Sequence, residues 1–304
     1  MSALALRHDA FVYESDEAFA DHMVPFITDG LKAGDATVAV TTRANLALLR
    51  DALGDARERV SFQDRDEWYS RPAKVIAGYA KTLRMHLATG VPRVRVVGEV
   101  QFGSTPDEWD EWTVYESLLN RAFAHVPAWI VCPYDARTLP DAVVLGAAHT
   151  HSQVLTDDWH DSPHYDDPEQ LVRALAPAPE PLPQLRAIPL DTDPRAFRAR
   201  LGREMAADAV PDAAASDMLL AATEILANIA RHGEGPGELR VGRAGERFVC
   251  ELSDCGPGLD DPFAGFLPPD TTTEGGAGLW VARQVTWRLD LLPSPDGLTV
   301  RLWV

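Results

Sequence analysis

Between Ala176 and Pro183 the chain reads Ala-Pro-Ala-Pro-Glu-Pro-Leu-Pro, four prolines in eight residues. Proline fixes φ and has no amide hydrogen. Such a run favours extended, polyproline-like backbone and cannot lie inside a helix or a central strand. It divides the 304 residues into two stretches, each long enough for a domain. The expected organisation is a domain over 1–175, a proline-rich linker over 176–186 and a second domain over 187–304. An apolar fraction of 46% supplies core for both.

Before the seam, short β-rich runs alternate with helical ones. Phe11–Tyr13, Thr37–Val40, Arg95–Val97 and Trp129–Val131 read as strands; Asp16–Leu31, Ala44–Leu53, Pro72–Leu87, Trp109–Ala124 and Pro140–His149 read as helices. A repeated β-then-α order predicts an α/β domain with a mostly parallel sheet. No G-x-x-x-x-G-K-[ST] occurs, so this sheet carries no Walker phosphate loop. In open parallel sheets ligands sit beyond the carboxyl ends of the strands. Here those ends are Tyr13–Glu14, Thr41–Arg43, Gly98–Glu99 and Tyr134–Asp135. After the seam, helices are expected over Pro194–Ala209, Ala213–Arg231 and Gly278–Thr286, and strands over Arg247–Leu252 and Thr299–Val304, an α+β arrangement.

A formal net charge of −18 repels phosphate backbones and disfavours direct nucleic-acid binding, while suiting basic protein partners. No apolar run approaching the roughly 18 residues of a membrane span stands out, and the amino terminus lacks a signal-peptide pattern. The expectation is a cytoplasmic protein with no membrane contact. Cys132, Cys250 and Cys255 are odd in number and follow no pairing pattern, so a disulfide framework is not expected.

Three stretches after the seam carry chemistry. Thr223-Glu224-Ile225-Leu226-Ala227-Asn228 places a carboxylate and a carboxamide four apart, on one helix face. The amide oxygen suits Mg²⁺, and the carboxylate suits orienting or deprotonating an attacking oxygen. Asp254-Cys255-Gly256-Pro257-Gly258 closes an apolar strand with a carboxylate able to accept from an exocyclic amine, beside glycines that permit a tight turn. Gly275-Gly276-Ala277-Gly278 feeds a helix, whose free amide groups make an anion seat, and Thr271–Thr273 before it suit a lid. Taken singly, these are an amphipathic helix face, a strand-ending turn and a glycine linker. In this order, within about one small domain's length, they specify a nucleotide site.

The three stretches, with Thr299 on the last strand, resemble the Bergerat (GHKL) ATP-binding fold of histidine kinases, gyrase and related ATPases, over about Asp191 to Val304. The resemblance implies an α+β sandwich that binds ATP with Mg²⁺. By it, Glu224 is the catalytic base and Asn228 the Mg²⁺ ligand. Asp254 reads adenine with help from Thr299, Gly256 and Gly258 shape the adenine pocket, and Gly276 and Gly278 belong to the lid. The proline run stands where a phosphoacceptor helical hairpin would precede the domain of a sensor histidine kinase. A transducer region such as follows the domain in gyrase or MutL-like ATPases is not expected. The pattern Thr223-Glu224…Asn228…His232-Gly233 is similar to the small anti-sigma-factor serine kinases. That likeness implies binding to a sigma factor, phosphorylation of a serine or threonine on an anti-sigma antagonist, and a homodimer. Nucleotide-gated binding of the same partners without phosphotransfer is the alternative.

In the first half, Gly30-Leu31-Lys32-Ala33-Gly34-Asp35 followed by a β-run and Thr41-Thr42, together with Cys132-Pro133-Tyr134-Asp135, resemble the MEDS sensory domain over about His8 to Thr150. That implies a RecA-type fold without its phosphate loop and a small-molecule signal. His149, His151, His160 and His164 lie among aspartates, but their spacing matches no tight zinc pattern and reads as a solvated loop. Trp109 and Trp112, three apart, read as core packing.

Overall fold

The computed structural model describes residues 5–156, 158–175, 180–233, 237–267, 277–295 and 297–304. The chain forms two compact units divided between Leu175 and Ala176, at the start of the proline-rich region. The first half of the expected linker, 176–179, and the segment 268–276, with Thr271–Thr273, Gly275 and Gly276, lie outside the described residues.

The first unit runs β1 (Arg7–Tyr13), α1 (Asp16–Ala33), β2 (Ala36–Thr41), α2 (Arg43–Leu53), a 3-10 segment (Gly54–Arg59), β3 (Val60–Asp64), α3 (Arg65–Trp68), α4 (Pro72–Leu87), β4 (Val94–Gly98), α5 (Pro106–Ala122), β5 (Ala128–Asp135), α6 (Asp141–Thr150), β6 (Gln153–Leu155), β7 (Trp159–Asp161) and α7 (Pro168–Leu175). The sheet order is β3-β2-β4-β5-β1-β6-β7. Every pair is parallel except β6 with β7. The sheet is therefore mixed but mostly parallel. Among the described residues, β7 is the antiparallel edge strand.

Pleat alternation sorts the two faces. Phe11 and Tyr13 of β1, Val97 of β4 and Val131 of β5 form one core with Phe19, Met23 and Ile27 of α1 and Leu46 and Leu49 of α2. The opposite face receives His8, Ala10, Ile130, Cys132 and Tyr134, all buried. Trp112 is buried in that layer beside Tyr115 and Tyr69, as core packing requires.

Local signals fix the helix ends. Ser15 accepts from the Ala18 amide to start α1 (3.0 Å), and Gly34, with φ 82°, ends it in the left-handed region that glycine tolerates. Thr105 and Glu108 form a capping box at α5, with Pro106 in the first turn. The Gly30…Asp35 stretch has a structural explanation. A Cβ on Gly30 would stand 2.6 Å from Arg95 Cδ, and Arg95 Nε donates to Asp35 Oδ2 (2.8 Å). The glycine admits the arginine stem that the aspartate anchors.

The carboxyl ends of β1, β2 and β4 meet at Glu99, which is 2% exposed. Its carboxylate accepts from Asn45 Nδ2 (2.9 Å), Arg65 Nη1 (2.6 Å), Tyr13 Oη (3.5 Å) and Thr41 Oγ1. Burial and the Glu99 charge push the Tyr13 phenol well above its ordinary range, so the hydroxyl stays a donor.

The second unit runs β8 (Arg186–Ile188), α8 (Pro194–Ala207), α9 (Asp212–His232), β9 (Glu238–Ala244), β10 (Arg247–Asp254), α10 (Ala277–Val285), β11 (Arg288–Ser294) and β12 (Gly297–Trp303). Its antiparallel sheet has the order β11-β12-β10-β9-β8. Helices cover one face. Phe197 and Leu201 of α8, Met218, Ile225 and Leu226 of α9 and Ala282 of α10 pack against Val241, Phe248, Cys250, Leu252, Val300 and Leu302. By length and apolar composition, α9 meets the requirement for a membrane span, contrary to the sequence expectation; here Met218, Ala221, Ala222, Ile225 and Leu226 are the part of it buried in the core.

On the opposite face, Glu251 of β10 pairs with Arg301 (2.7 Å) and Arg240 (3.1 Å). The same guanidiniums donate to the carbonyls of Glu180 (2.8 Å), Leu182 (3.1 Å) and Leu185 (3.3 Å). Arg186 then begins the edge strand β8. The second half of the expected linker is thus pinned to the sheet. Its prolines forbid helix, which leaves the neighbouring carbonyls of Glu180, Leu182 and Leu185 free to accept.

Removing the Glu99 carboxylate leaves Arg65 and Asn45 without their acceptor. Glu99→Ala is expected to lower the stability of the first unit by about 2–4 kcal/mol in urea denaturation, and Glu99→Gln by less. An unchanged midpoint for Glu99→Ala would count against its role as the hub.

Candidate nucleotide site

The apolar side of α9 is committed to the sheet, so its other side is free for polar work. Glu224 and Asn228, both half-buried, project there. They face the first turn of α10. A Cβ on Gly278 would stand 3.2 Å from Glu224 Oε2, 3.2 Å from Asn228 Nδ2 and 3.3 Å from Asn228 Oδ1. The bare backbone of Gly278 therefore brings a helix amino terminus against a carboxylate and a carboxamide. The pairing suits an anion held by amide groups with a divalent cation between it and the side chains.

One turn further along α9, the helix end meets the end of β10. A Cβ on Gly233 would lie 2.6 Å from the Ile229 carbonyl and 3.2 Å from Asp254 Cβ. A Cβ on Gly256 would lie 2.9 Å from both Asp254 Oδ1 and the His232 carbonyl. Two glycines without side chains let helix and strand approach this closely. Asp254 is half-buried, and its Oδ1 accepts from the Gly256 amide (2.7 Å), which fixes the carboxylate at the strand end. Gly258, with φ 79°, continues the turn in the left-handed region. His232 enters only through its carbonyl.

Of the residues expected at the site, Glu224, Asn228 and Gly278 come together on one side of α9. Asp254, Gly256 and Gly258 come together at its carboxyl end. Gly276 lies outside the described residues. Thr299 departs from expectation. Val300 and Leu302 face the helices, so the strand period turns Thr299 to the opposite face, where its hydroxyl meets Ser253 Oγ (2.7 Å). In the register of β12 the residue opposite Asp254 is Leu298. Arg231, unmarked in the sequence, sets Nη1 3.5 Å from Asn228 Oδ1. Its i, i+3 spacing from Asn228 was the legible signal.

In the first unit, the expected crevice at the strand ends holds the Glu99 network. The histidine-rich stretch is split. His149, on α6, pairs with Asp166 (2.8 Å) and lies beside His164, and His160, on β7, is exposed; they are at the surface, but on a helix and a strand rather than a loop. His151 is instead fully buried and lies with His8, Glu116 and Cys132. Burial and the neighbouring His8 push the His151 pKa well below the ordinary histidine value. These four are spread from position 8 to 151 on separate elements, so no spacing could group them. The period of β1 and β5, which puts His8 and Cys132 on one face, was the available hint.

Comparisons agree with the two units. Residues 7–152 match the family described as MEDS, the methanogen/methylotroph, DcmR sensory domain. Residues 190–304 match the histidine kinase-like ATPase domain. Solved structures that align include the RsbU and RsbW domains of Rv1364c from Mycobacterium tuberculosis, at 19% identity over 45% of this chain and 39% of that one, TM-score 0.30. The histidine kinase domain of the E. coli osmosensor EnvZ aligns at 20% identity over 42% of this chain and 91% of that one, TM-score 0.25. The chain spans well under half the length of the first of these. No curated protein matches it. With its first unit matched to the one family and its second to the other, the chain is a MEDS domain joined to a histidine kinase-like ATPase domain.

Proposed function

We propose that the second unit binds ATP with Mg²⁺ and transfers the terminal phosphoryl group to a serine or threonine hydroxyl on an anti-sigma antagonist. It would thereby control release of a sigma factor, with the first unit taking a small-molecule signal. The observation that carries the reading is the convergence of Glu224 and Asn228 on the bare backbone of Gly278. ATP supplies the phosphoryl group and a leaving group, ADP. Glu224 takes the proton of the attacking hydroxyl as its oxygen bonds to phosphorus. Asn228 offers its amide oxygen to Mg²⁺, and the first turn of α10 offers amide groups to phosphate oxygens. Asp254, held by the Gly256 amide, leaves Oδ2 to accept from the adenine amine. Thr299 has no part in this pocket, because its hydroxyl is on the other face of the sheet.

A second reading keeps ATP and partner binding but drops the transfer. It is favoured by Arg231, whose guanidinium lies against the Asn228 oxygen that Mg²⁺ needs.

Two substitutions separate binding from transfer. Asp254→Asn keeps an acceptor for the Gly256 amide and loses the charge. It is expected to weaken ATP binding by about 10- to 100-fold in calorimetry. Glu224→Gln should bind ATP as the unaltered chain does, yet lose about 10²- to 10⁴-fold in transfer of labelled phosphate to an antagonist protein. ATP affinity untouched by Asp254→Asn would overturn the pocket. Tight binding with no transfer by the unaltered chain would leave the second reading.

A further inference from the structure

His8, Glu116, Cys132 and His151 present four ligand atoms that all lie within 4.8 Å of one another, and all four residues are buried. They come from β1, α5, β5 and the residue that ends α6. His8 Nε2 is 3.0 Å from Glu116 Oε2 and 3.3 Å from Cys132 Sγ. Glu116 Oε2 is 3.5 Å from Cys132 Sγ and 3.6 Å from His151 Nε2. Ligand atoms about 2.0–2.3 Å from a tetrahedral Zn²⁺ stand about 3.3–3.8 Å from one another, close to these separations.

The outer partners settle which way the rings point. Asn120 commits its amide nitrogen to the Thr150 carbonyl (2.8 Å), so its oxygen faces His8 Nδ1 (3.0 Å) and accepts from it. His151 Nδ1 donates to the Ala147 carbonyl (3.0 Å). In neutral rings so held, both Nε2 atoms turn lone pairs into the cluster, the arrangement that outer hydrogen bonds impose on metal-binding histidines. His151 Nε2 and Glu116 Oε1 are buried without any hydrogen-bond partner. A proton on His8 Nε2 would serve Glu116 Oε2 alone and leave those two atoms unsatisfied. A dication satisfies all four groups.

We propose that the first unit holds a Zn²⁺ ion on His8 Nε2, His151 Nε2, Cys132 Sγ and the Glu116 carboxylate. The mixed nitrogen, sulfur and oxygen set selects zinc over Mg²⁺ or Ca²⁺, and four protein ligands close the site. Binding releases the Cys132 thiol proton to solvent. Of the four ligands, His8 also lines a cleft of about 540 Å³, together with Arg7, Asp9, Asn120, Ser152 and Tyr165.

The test titrates the chelator-treated full chain with Co²⁺ and then with Zn²⁺. About one Co²⁺ per chain is expected, with the intense visible absorption of tetrahedral cobalt, a thiolate-to-cobalt charge-transfer band, and displacement by equimolar Zn²⁺. Cys132→Ser should lose the charge-transfer band, whereas Cys255→Ser, which alters an exposed thiol, should keep it. Asn120→Ala should retain the band and weaken affinity by about 10- to 100-fold. The proposal falls if the unaltered chain, folded by circular dichroism, shows no thiolate band in excess Co²⁺, or if the band survives in Cys132→Ser.

Discussion

The second unit depends on one helix being two things at once. Along its apolar side α9 is a core element, with Met218, Ala221, Ala222, Ile225 and Leu226 buried against the sheet. That packing fixes the rotation of the helix about its axis. The rotation in turn aims Glu224 and Asn228 at Gly278, and the helix length delivers Gly233 to the end of β10. A helix free to turn by one residue would carry the carboxylate away from the amide groups it faces. The polar site is therefore positioned by hydrophobic burial, the strong and non-directional term, and only refined by hydrogen bonds.

The first unit shows a different economy. Its polar groups are buried inside an α/β layer, so each must find partners within the protein. Glu99 does so with Arg65, Asn45, Thr41 and Tyr13. The group around Glu116 does so only in part, leaving His151 Nε2 and Glu116 Oε1 without a partner, and it gathers two imidazoles, a thiol and a carboxylate in one spot. Two buried polar clusters on one sheet thus differ in whether protein donors complete them. That contrast separates a structural network from a place waiting on a cation.

Much of the architecture was legible because periodicity and punctuation agreed. The parallel order of the first sheet followed from β-runs separated by helix-length stretches, and the proline run marked the region where the units divide. Two helix ends lie beyond the expected bounds: α1 runs on to Ala33, where Gly34 caps it, and α5 starts at Pro106, behind the Thr105 cap, rather than at Trp109. The strands β3, β6, β7, β8, β9 and β11 were not named in advance. Some are short, and each depends on a neighbour for its pairing, so their own residues carry little signal. Glu224, Asn228 and Asp254 could be singled out because a helix face and a strand end are local patterns. Thr299 went wrong because a one-residue step along a strand reverses the face. The cluster at His8 could not be seen, since it exists only after four elements are brought together.

Glu251 gives the second half of the linker a mechanical meaning. The two arginines that grip its carboxylate are the ones that hold the carbonyls of Glu180, Leu182 and Leu185. A pull on the backbone at Glu180 therefore reaches β10 through the Arg301 guanidinium, and one at Leu182 or Leu185 through that of Arg240, without passing along the intervening chain. It arrives three residues ahead of Asp254. The prolines keep this tether stiff, so displacement at one end is passed on rather than absorbed.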